Sequence, residues 1–133
     1  MERSVIDLSK YRFDCCCEAL EDAKIMYEAC RYKNALNRAY YSIFHGIRAV
    51  NALDGFDSSK HSGVIAYFNQ NYVKKGFFSK EASKLIKLAA EKRESADYLD
   101  FFVASKEEAA AQIQRAEAFK EWIEEYLRSR QVL

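Results

Sequence analysis

The absence of proline constrains this chain more than any other feature of its sequence. None of the 133 residues is proline, and glycine occurs only four times. Ordinary usage of about 5% would give roughly six or seven prolines in a chain of this length. Because proline and glycine form turns and interrupt helices, their scarcity favours a few long helices over a sheet with many turns. We therefore expect an all-α fold.

The composition fits a single folded domain. Half of the residues are hydrophobic and 14% are aromatic, while the formal net charge is only +1, so a disordered chain is excluded. The length suffices for one hydrophobic core and is short for two. We predict one domain over residues 1–133 with its core at about 8–128, and we expect the first six and last four residues to fray.

The sequence also indicates a reducing compartment. No run approaches the ~18 consecutive apolar residues of a membrane span, and the charged N-terminal segment does not resemble a secretory signal. Three of the four cysteines are consecutive, Cys15 to Cys17, and side chains that follow one another on a helix point in different directions, so they cannot converge on one metal ion. We predict a cytosolic protein, without membrane contact, whose thiols are reduced and act mainly as small hydrophobes.

Apolar residues recur with helical period along most of the chain. The first stripe runs from Phe13 to Cys30, and later stripes follow the possible caps at Ser58 or Ser59, Ser79 and Ser105, the last with Glu108 in a capping box. The predicted helices are about 8–30, about 34–53, a short helix ending before Gly76, a fourth helix after Ser79 that includes Leu99 in its stripe, and a last helix after Ser105. Short connections between them predict an up-and-down four-helix bundle with one extra short helix.

Charge is distributed unevenly along the chain. Residues 60–93 carry a net charge of +6, and residues 94–127 carry −6. The basic part interleaves lysines with the aromatic residues Tyr67, Phe68, Tyr72, Phe77 and Phe78, a pattern compatible with a nucleic-acid surface. Alternatively, the lysines form the solvated face of the fourth helix and pair with the acidic last helix.

Two groups of polar residues are candidates for chemistry. On the second helix, Arg38, Tyr41, His45 and Arg48 are spaced three, four and three residues apart, which places them in one polar stripe. Arginine can hold a phosphate and histidine can exchange a proton near neutral pH, so Arg38 with His45 could act on a phosphodiester. Hydrogen bonding of these side chains into neighbouring helices explains the pattern equally.

The second group lies on the fourth helix, where its apolar stripe is interrupted. Arg93, Asp97 and Tyr98 fall there, and Arg93 with Asp97 at i and i+4 predicts either a structural ion pair or part of a ligand site. His61 is predicted at a helix start, where free backbone amides favour anions, although a capping or surface role is the alternative.

Motifs of the familiar enzyme classes are absent from the sequence. It contains no glycine-rich phosphate loop, no zincin-type histidine pair, no elbow serine and no metal-binding carboxylate cluster. We therefore predict neither a metal nor a cofactor.

Together these motifs resemble those of the HEPN family. The resemblance covers about residues 10–127 and is carried by the run ALNRAYYSIFHGIRA at 35–49, by Lys60-His61 before a hydrophobic helix, and by RESADY at 93–98. It implies an all-α bundle that dimerises. Many members of this family are metal-independent ribonucleases, often toxins, in which an arginine and a histidine, separated by four to six intervening residues, line a cleft between two subunits. Others pair with a small nucleotidyltransferase antitoxin.

Two positions depart from that pattern. Arg93 matches the family's arginine, but Tyr98 occupies the place of the histidine, and Asp100 stands where some members carry a modified tyrosine. A phenol with a pKa near 10 accepts protons poorly at neutral pH. The resemblance thus predicts a homodimeric protein of a toxin–antitoxin or stress-response module that binds nucleotide or RNA without full ribonuclease activity.

The sequence leaves other functions open. The catalytic candidates are Arg93, Tyr98 and His45, and the ligand-binding candidates are Arg38, Tyr41, Asp97 and His61. One alternative is a ribonuclease toxin that uses Arg93 with His45 as the imidazole. A second is a non-catalytic structural or partner-binding helical module.

Overall fold

The structure, a computed structural model, describes residues 2–133 and contains no strand among them. Four long helices and one short helix account for most of these residues, which confirms the predicted all-α class. The helices are α1 (Arg3–Glu28), α2 (Tyr32–Asn51), α3 (His61–Phe68), α4 (Lys80–Tyr98) and α5 (Lys106–Ser129). A short 3-10 turn (Ala52–Asp54) follows α2, and a π-helical turn (Asn69–Val73) follows α3.

Helix α2 lies at the centre and contacts each of the other four helices. One side is fully apolar, with Leu36, Ile43 and Val50 excluded from solvent. At Gly46 the helix comes close to α5, because a Cβ there would lie 3.2 Å from Ile123 Cγ1. Polar residues of α2 contact α1, α3, α4 and the loop after α2; Ser42 Oγ, for example, donates a hydrogen bond to the Cys16 carbonyl at 2.8 Å.

Of the three predicted helix caps, the one at Ser105 is confirmed. Ser79 is the N-cap residue of α4 but its side chain makes no capping hydrogen bond, and the N-cap residue of α3 is Lys60 instead of Ser58 or Ser59. Ser105 Oγ accepts a hydrogen bond from the Glu108 amide at 3.0 Å, and Glu108 Oε1 accepts one from the Ser105 amide at 3.2 Å. This reciprocal capping box fixes the start of α5. Gly55, with φ of +70°, ends the 3-10 turn after α2, in agreement with the predicted helix end there.

Several predicted boundaries are wrong. Helix α1 begins at Arg3 instead of residue 8 and ends at Glu28, so the first residues do not fray as expected. Cys30 lies beyond the helix, exposed and with φ of +60°, and therefore does not belong to the apolar stripe. Leu99 is also outside its helix and 58% exposed. Near the C-terminus, Val132 is buried although fraying was predicted.

The proposed nucleic-acid surface over the basic segment is not supported either. Phe68, Tyr72 and Phe78 are buried in the core, so only part of the aromatic series is available to a ligand. The alternative also holds only in part, since Lys92 to Glu108, at 3.7 Å, is the single ion pair from this segment to α5 within residues 2–133. Cys16 is buried as predicted, and burial raises the pKa of its thiol to about 12.

Candidate functional site

A guanidinium surrounded by tyrosines joins α4 to α2. The Arg93 Cζ lies 5.0, 5.5 and 5.9 Å from the ring centroids of Tyr40, Tyr41 and Tyr98. Its Nη2 donates a hydrogen bond to Tyr41 Oη at 3.0 Å. The Arg93 Nε is 3.2 Å from Asp97 Oδ2, which confirms the predicted i to i+4 ion pair. That buried N–H does not point along the contact and makes no hydrogen bond within residues 2–133.

The ion pair extends into a network along the start of α2. Asn37 Nδ2 donates to Asp97 Oδ2 at 3.0 Å. The Asn37 side-chain oxygen in turn accepts from Arg38 Nε and Nη2, at 3.1 and 2.8 Å. Arg38 also covers the Tyr41 ring, with its Cζ 4.9 Å from the centroid. Arg38, Tyr41, Asp97 and Arg93, predicted from two separate helices, are thus brought together.

His61, the first residue of α3, faces the same tyrosines. Its Nδ1 is 3.0 Å from Tyr40 Oη, and its ring stacks on Phe44 at a centroid distance of 4.1 Å. Burial raises the pKa of Tyr40 to about 12, so the phenol keeps its proton. Burial, then the positive charges of Arg93 and Arg48, lower the pKa of His61. The imidazole is therefore held in place and favoured in its neutral form.

These groups border an open cleft of about 740 Å³ between α3 and the end of α4. Three of the predicted residues line it: Arg93, Tyr98 and His61. Tyr98 ends α4 and leaves 71% of its surface in solvent. The remaining lining residues are Tyr40, Ser62, Ile65, Ala90 and Glu94.

His45 lies elsewhere on α2. Its ring centroid is 6.1 Å from that of Tyr41 and 6.4 Å from that of Phe44, and the residue is half-buried. Burial, followed by the charges of Arg48 and Arg38, lowers its pKa. His45 is not among the residues lining the cleft beside Arg93; the imidazole found there is that of His61.

Sequence reasoning missed two residues of this site. Tyr40 was assigned to the apolar stripe, although its hydroxyl contacts His61 and its ring faces Arg93. Asn37 was not predicted as a site residue, although its side chain bridges Asp97 and Arg38. The doubled tyrosine was a usable signal for Tyr40, because neighbours on a helix point about 100° apart and can face two partners.

Neither a metal-binding group of side chains nor a membrane-spanning helix is found in residues 2–133. No group of three or more histidine, cysteine or acidic side chains is positioned to hold a metal ion within residues 2–133. In the same part of the chain, every helix is too short or too polar to cross a bilayer.

The chain is similar in sequence to several known proteins. The chain is 36% identical over 110 residues to a "UPF0332 protein" of Thermotoga maritima, covering 83% of each chain. It is 34% identical over 111 residues to "Putative toxin MJ0605" of Methanocaldococcus jannaschii, covering 84% of this chain and 82% of that one. A second protein of that archaeon, "Putative toxin MJ0142", is 29% identical over 116 residues, 87% of this chain and 79% of its own.

The family model described as the HEPN domain matches residues 16–126, a range that includes all of α2, α3 and α4 and the cleft they form. With this match and the relatives above, the chain belongs to the HEPN domain family.

Proposed function

We propose that this chain is a toxin-like HEPN module that binds nucleotide or single-stranded RNA in the cleft beside Arg93. The observation that carries the proposal is a guanidinium held among three tyrosines at the edge of an open cleft that also exposes an imidazole. Two of the relatives bear the word toxin in their names, which supports a role in a toxin–antitoxin or stress-response module.

Arg93 retains hydrogen-bonding capacity for a phosphate. A guanidinium has five N–H donors, and the contacts with Tyr41 and Asp97 involve two of its three nitrogens. Its planar fork matches two phosphate oxygens at once. The surrounding rings fix its position, so little side-chain entropy remains to be lost when a ligand binds.

Tyr98 has a different use from the histidine that the family pattern would place there. Its ring is 71% exposed and lies beside the guanidinium. An exposed ring next to a phosphate-binding arginine is suited to stack on an unpaired base, a contact worth about 1–3 kcal/mol. This favours binding over cleavage, since a neutral phenol is a poor general base.

A metal-independent ribonuclease is the second candidate, and His61 favours it. The earlier hypothesis paired Arg93 with His45, but the imidazole in the same cleft as Arg93 is His61, with a pKa lowered by burial and two arginines. A neutral imidazole can accept the 2′-hydroxyl proton while the 2′-oxygen bonds to phosphorus and the bond to the 5′-oxygen breaks. The leaving 5′-oxygen takes a proton from water, the product is a 2′,3′-cyclic phosphate, and Arg93 can stabilise charge on the phosphate. His45 stays a candidate until tested.

The connection between α4 and α5 exposes apolar side chains that a partner protein could cover. We infer a homodimer or a complex with a nucleotidyltransferase antitoxin from the α4–α5 connection, where Leu99, Phe101 and Val103 are 58%, 100% and 84% exposed. Apolar side chains concentrated in this way mark interaction surfaces. Sedimentation of the purified chain would detect the dimer as a doubled mass.

The binding proposal is tested by titrating UMP and a short single-stranded RNA against wild type and Arg93→Ala. We expect Arg93→Ala to weaken both by about tenfold or more, because a charge-assisted bond to phosphate is lost. Arg128→Ala is the matched control, since Arg128 is also paired with a carboxylate, Glu124, but on the exposed side of α5. If Arg93→Ala lowers the melting temperature and leaves binding unchanged, the network is purely structural and the proposal is wrong.

Cleavage is tested separately with unstructured RNA in the presence of EDTA. RNA that stays intact supports the binding module. If RNA is cleaved, His61→Asn and His45→Asn identify the participating imidazole, and Arg93→Ala should abolish the products in either case.

A further inference from the structure

A second cleft also borders His61. It has a volume of about 570 Å³ and is lined by Phe44, Arg48, Asp57, Ser58, Ser59 and His61. His61 also lines the cleft of Arg93, so the two clefts meet at this residue. A ligand longer than one nucleotide could therefore continue past His61 without leaving a concave surface.

The second cleft has its own positive charge. Arg48 Nη2 lies 2.8 Å from Asp57 Oδ2, and Arg12 Nη2 lies 3.1 Å from the same oxygen. Asp57 Oδ1 accepts a hydrogen bond from the Ser58 amide at 2.9 Å. Two guanidiniums against one carboxylate leave a net positive charge. The Arg48 side chain is 29% exposed, whereas that of Arg12 is only 10% exposed, so Arg48 is the cation that a ligand can reach.

Asp57 binds the two guanidiniums that a phosphate anion could also bind. A carboxylate bridging two guanidiniums contacts the same donors that a phosphodiester would use. Its side chain is 44% exposed, which leaves space for a second anion at the mouth of the cleft. The charges on both sides of His61 also act on its imidazole, since Arg93 and Arg48 each lower its pKa.

We propose that Arg48 forms a second phosphate subsite, so that a single-stranded RNA crosses His61 with one phosphate at Arg93 and another at Arg48. Asp57 limits the affinity of this subsite by competing for the guanidinium. This inference rests on the proposed function, because it extends the Arg93 cleft to an adjoining one. Of the two ligands proposed above, the second subsite favours RNA, because a mononucleotide fills one cleft whereas RNA fills both.

The test compares UMP with a short 2′-O-methyl oligouridylate, which cannot be cleaved through its 2′-hydroxyl. Binding is followed by titration at several salt concentrations. Arg48→Ala should weaken the oligonucleotide by about tenfold and leave UMP binding within about twofold of wild type. Loss of one phosphate contact should also reduce the slope of log affinity against log salt by about 0.7. Arg128→Ala, again the matched control, should change neither ligand.

Asp57→Asn gives a result of opposite sign. It removes the competing negative charge while keeping both arginines, so the oligonucleotide should bind several-fold more tightly than to wild type. Arg48→Lys keeps the charge and should retain most of the salt slope. Circular dichroism of each variant establishes that the helices are intact, and Arg48→Lys with Asp57→Asn still tests the subsite if Arg48→Ala unfolds.

The outcomes separate the two proposals. If Arg93→Ala weakens both ligands but Arg48→Ala matches Arg128→Ala and Asp57→Asn gives no gain, the second subsite is wrong and the Arg93 site stands. If Arg93→Ala changes neither ligand, the proposed function itself is wrong.

Discussion

The two sides of α2 stabilise the protein by different means. Towards α5 the contact is apolar and closely packed, with Phe119 and Ile123 fully buried and Gly46 allowing the helices to approach. Towards α4 the contact is polar, with Arg93 against tyrosine rings and Asn37 bonded to Asp97. The apolar side depends on area and fit, which are non-directional. The polar side depends on particular donors and acceptors, and the donors it leaves unused remain available to a ligand.

The largest expected effect distinguishes these two sides by stability. Phe119→Ala should lower the free energy of unfolding by about 3–5 kcal/mol, because it removes a fully buried ring and leaves a cavity. Arg93→Ala should cost less, about 1–2 kcal/mol, because it removes a hydrogen bond to Tyr41 and the contacts of the guanidinium with three rings. The carboxylate that it releases is still reached by solvent and by Asn37. Urea denaturation measures both. Equal losses would mean that the polar side is as structural as the apolar one.

A smaller effect is expected at the closest approach of α2 and α5. A Cβ at Gly46 would lie 3.2 Å from Ile123 Cγ1 and 3.3 Å from Phe119 Cε2. Gly46→Val should therefore cost about 1–3 kcal/mol through overpacking. Ala66→Val, at an exposed position of α3, controls for the intrinsic effect of valine in a helix and should cost much less. A loss no greater than the control's would show that the contact relaxes easily.

The smallest effect concerns pH and arises on the polar side. The pKa values of His45 and His61 are both lowered in the folded state, chiefly by burial. Below the unfolded pKa of about 6.5 the unfolded chain therefore binds protons more readily. The free energy of unfolding should be constant above that pH and fall as the pH decreases from about 7 towards 5.

Removing either imidazole sharpens this prediction. His61→Asn and His45→Asn should each abolish part of the fall, as measured by thermal unfolding at a series of pH values. Asp57 and Glu108, whose pKa values are lowered by their hydrogen bonds, act only at more acidic pH. A wild-type stability that rises on acidification through this range would contradict the assignment.

Local chemistry made several features predictable. Ser105 and Glu108 form the expected capping box, because both partners lie within one helical turn. The pair of Arg93 and Asp97 was predictable for the same reason, since residues four apart on a helix are neighbours. The grouping of Arg38 with Tyr41 likewise follows from helical spacing alone. Such features need only the geometry of a single helix.

The choice between His45 and His61 needed information that no single helix contains. His45 shares a helix with Arg38 and so was the natural partner from spacing. The loop after α2 contacts α1 and α2 through Asp57, and His61, four residues further along the chain, contacts Tyr40. The contact of Arg12 with Asp57 joins residues 45 positions apart in the chain, a separation at which helical spacing predicts nothing.

The sequence by itself therefore determined the helical class, most helix positions and the residues that share a helical face, because these depend on interactions within a few residues. Only the tertiary structure decided which faces meet. It brought Arg93 of α4 to the tyrosines of α2 and turned His61, instead of His45, towards the same cleft. The physical reason is that helices pack where their whole surfaces fit together, as at Gly46. The period of apolar residues along one helix does not specify which other surface it fits.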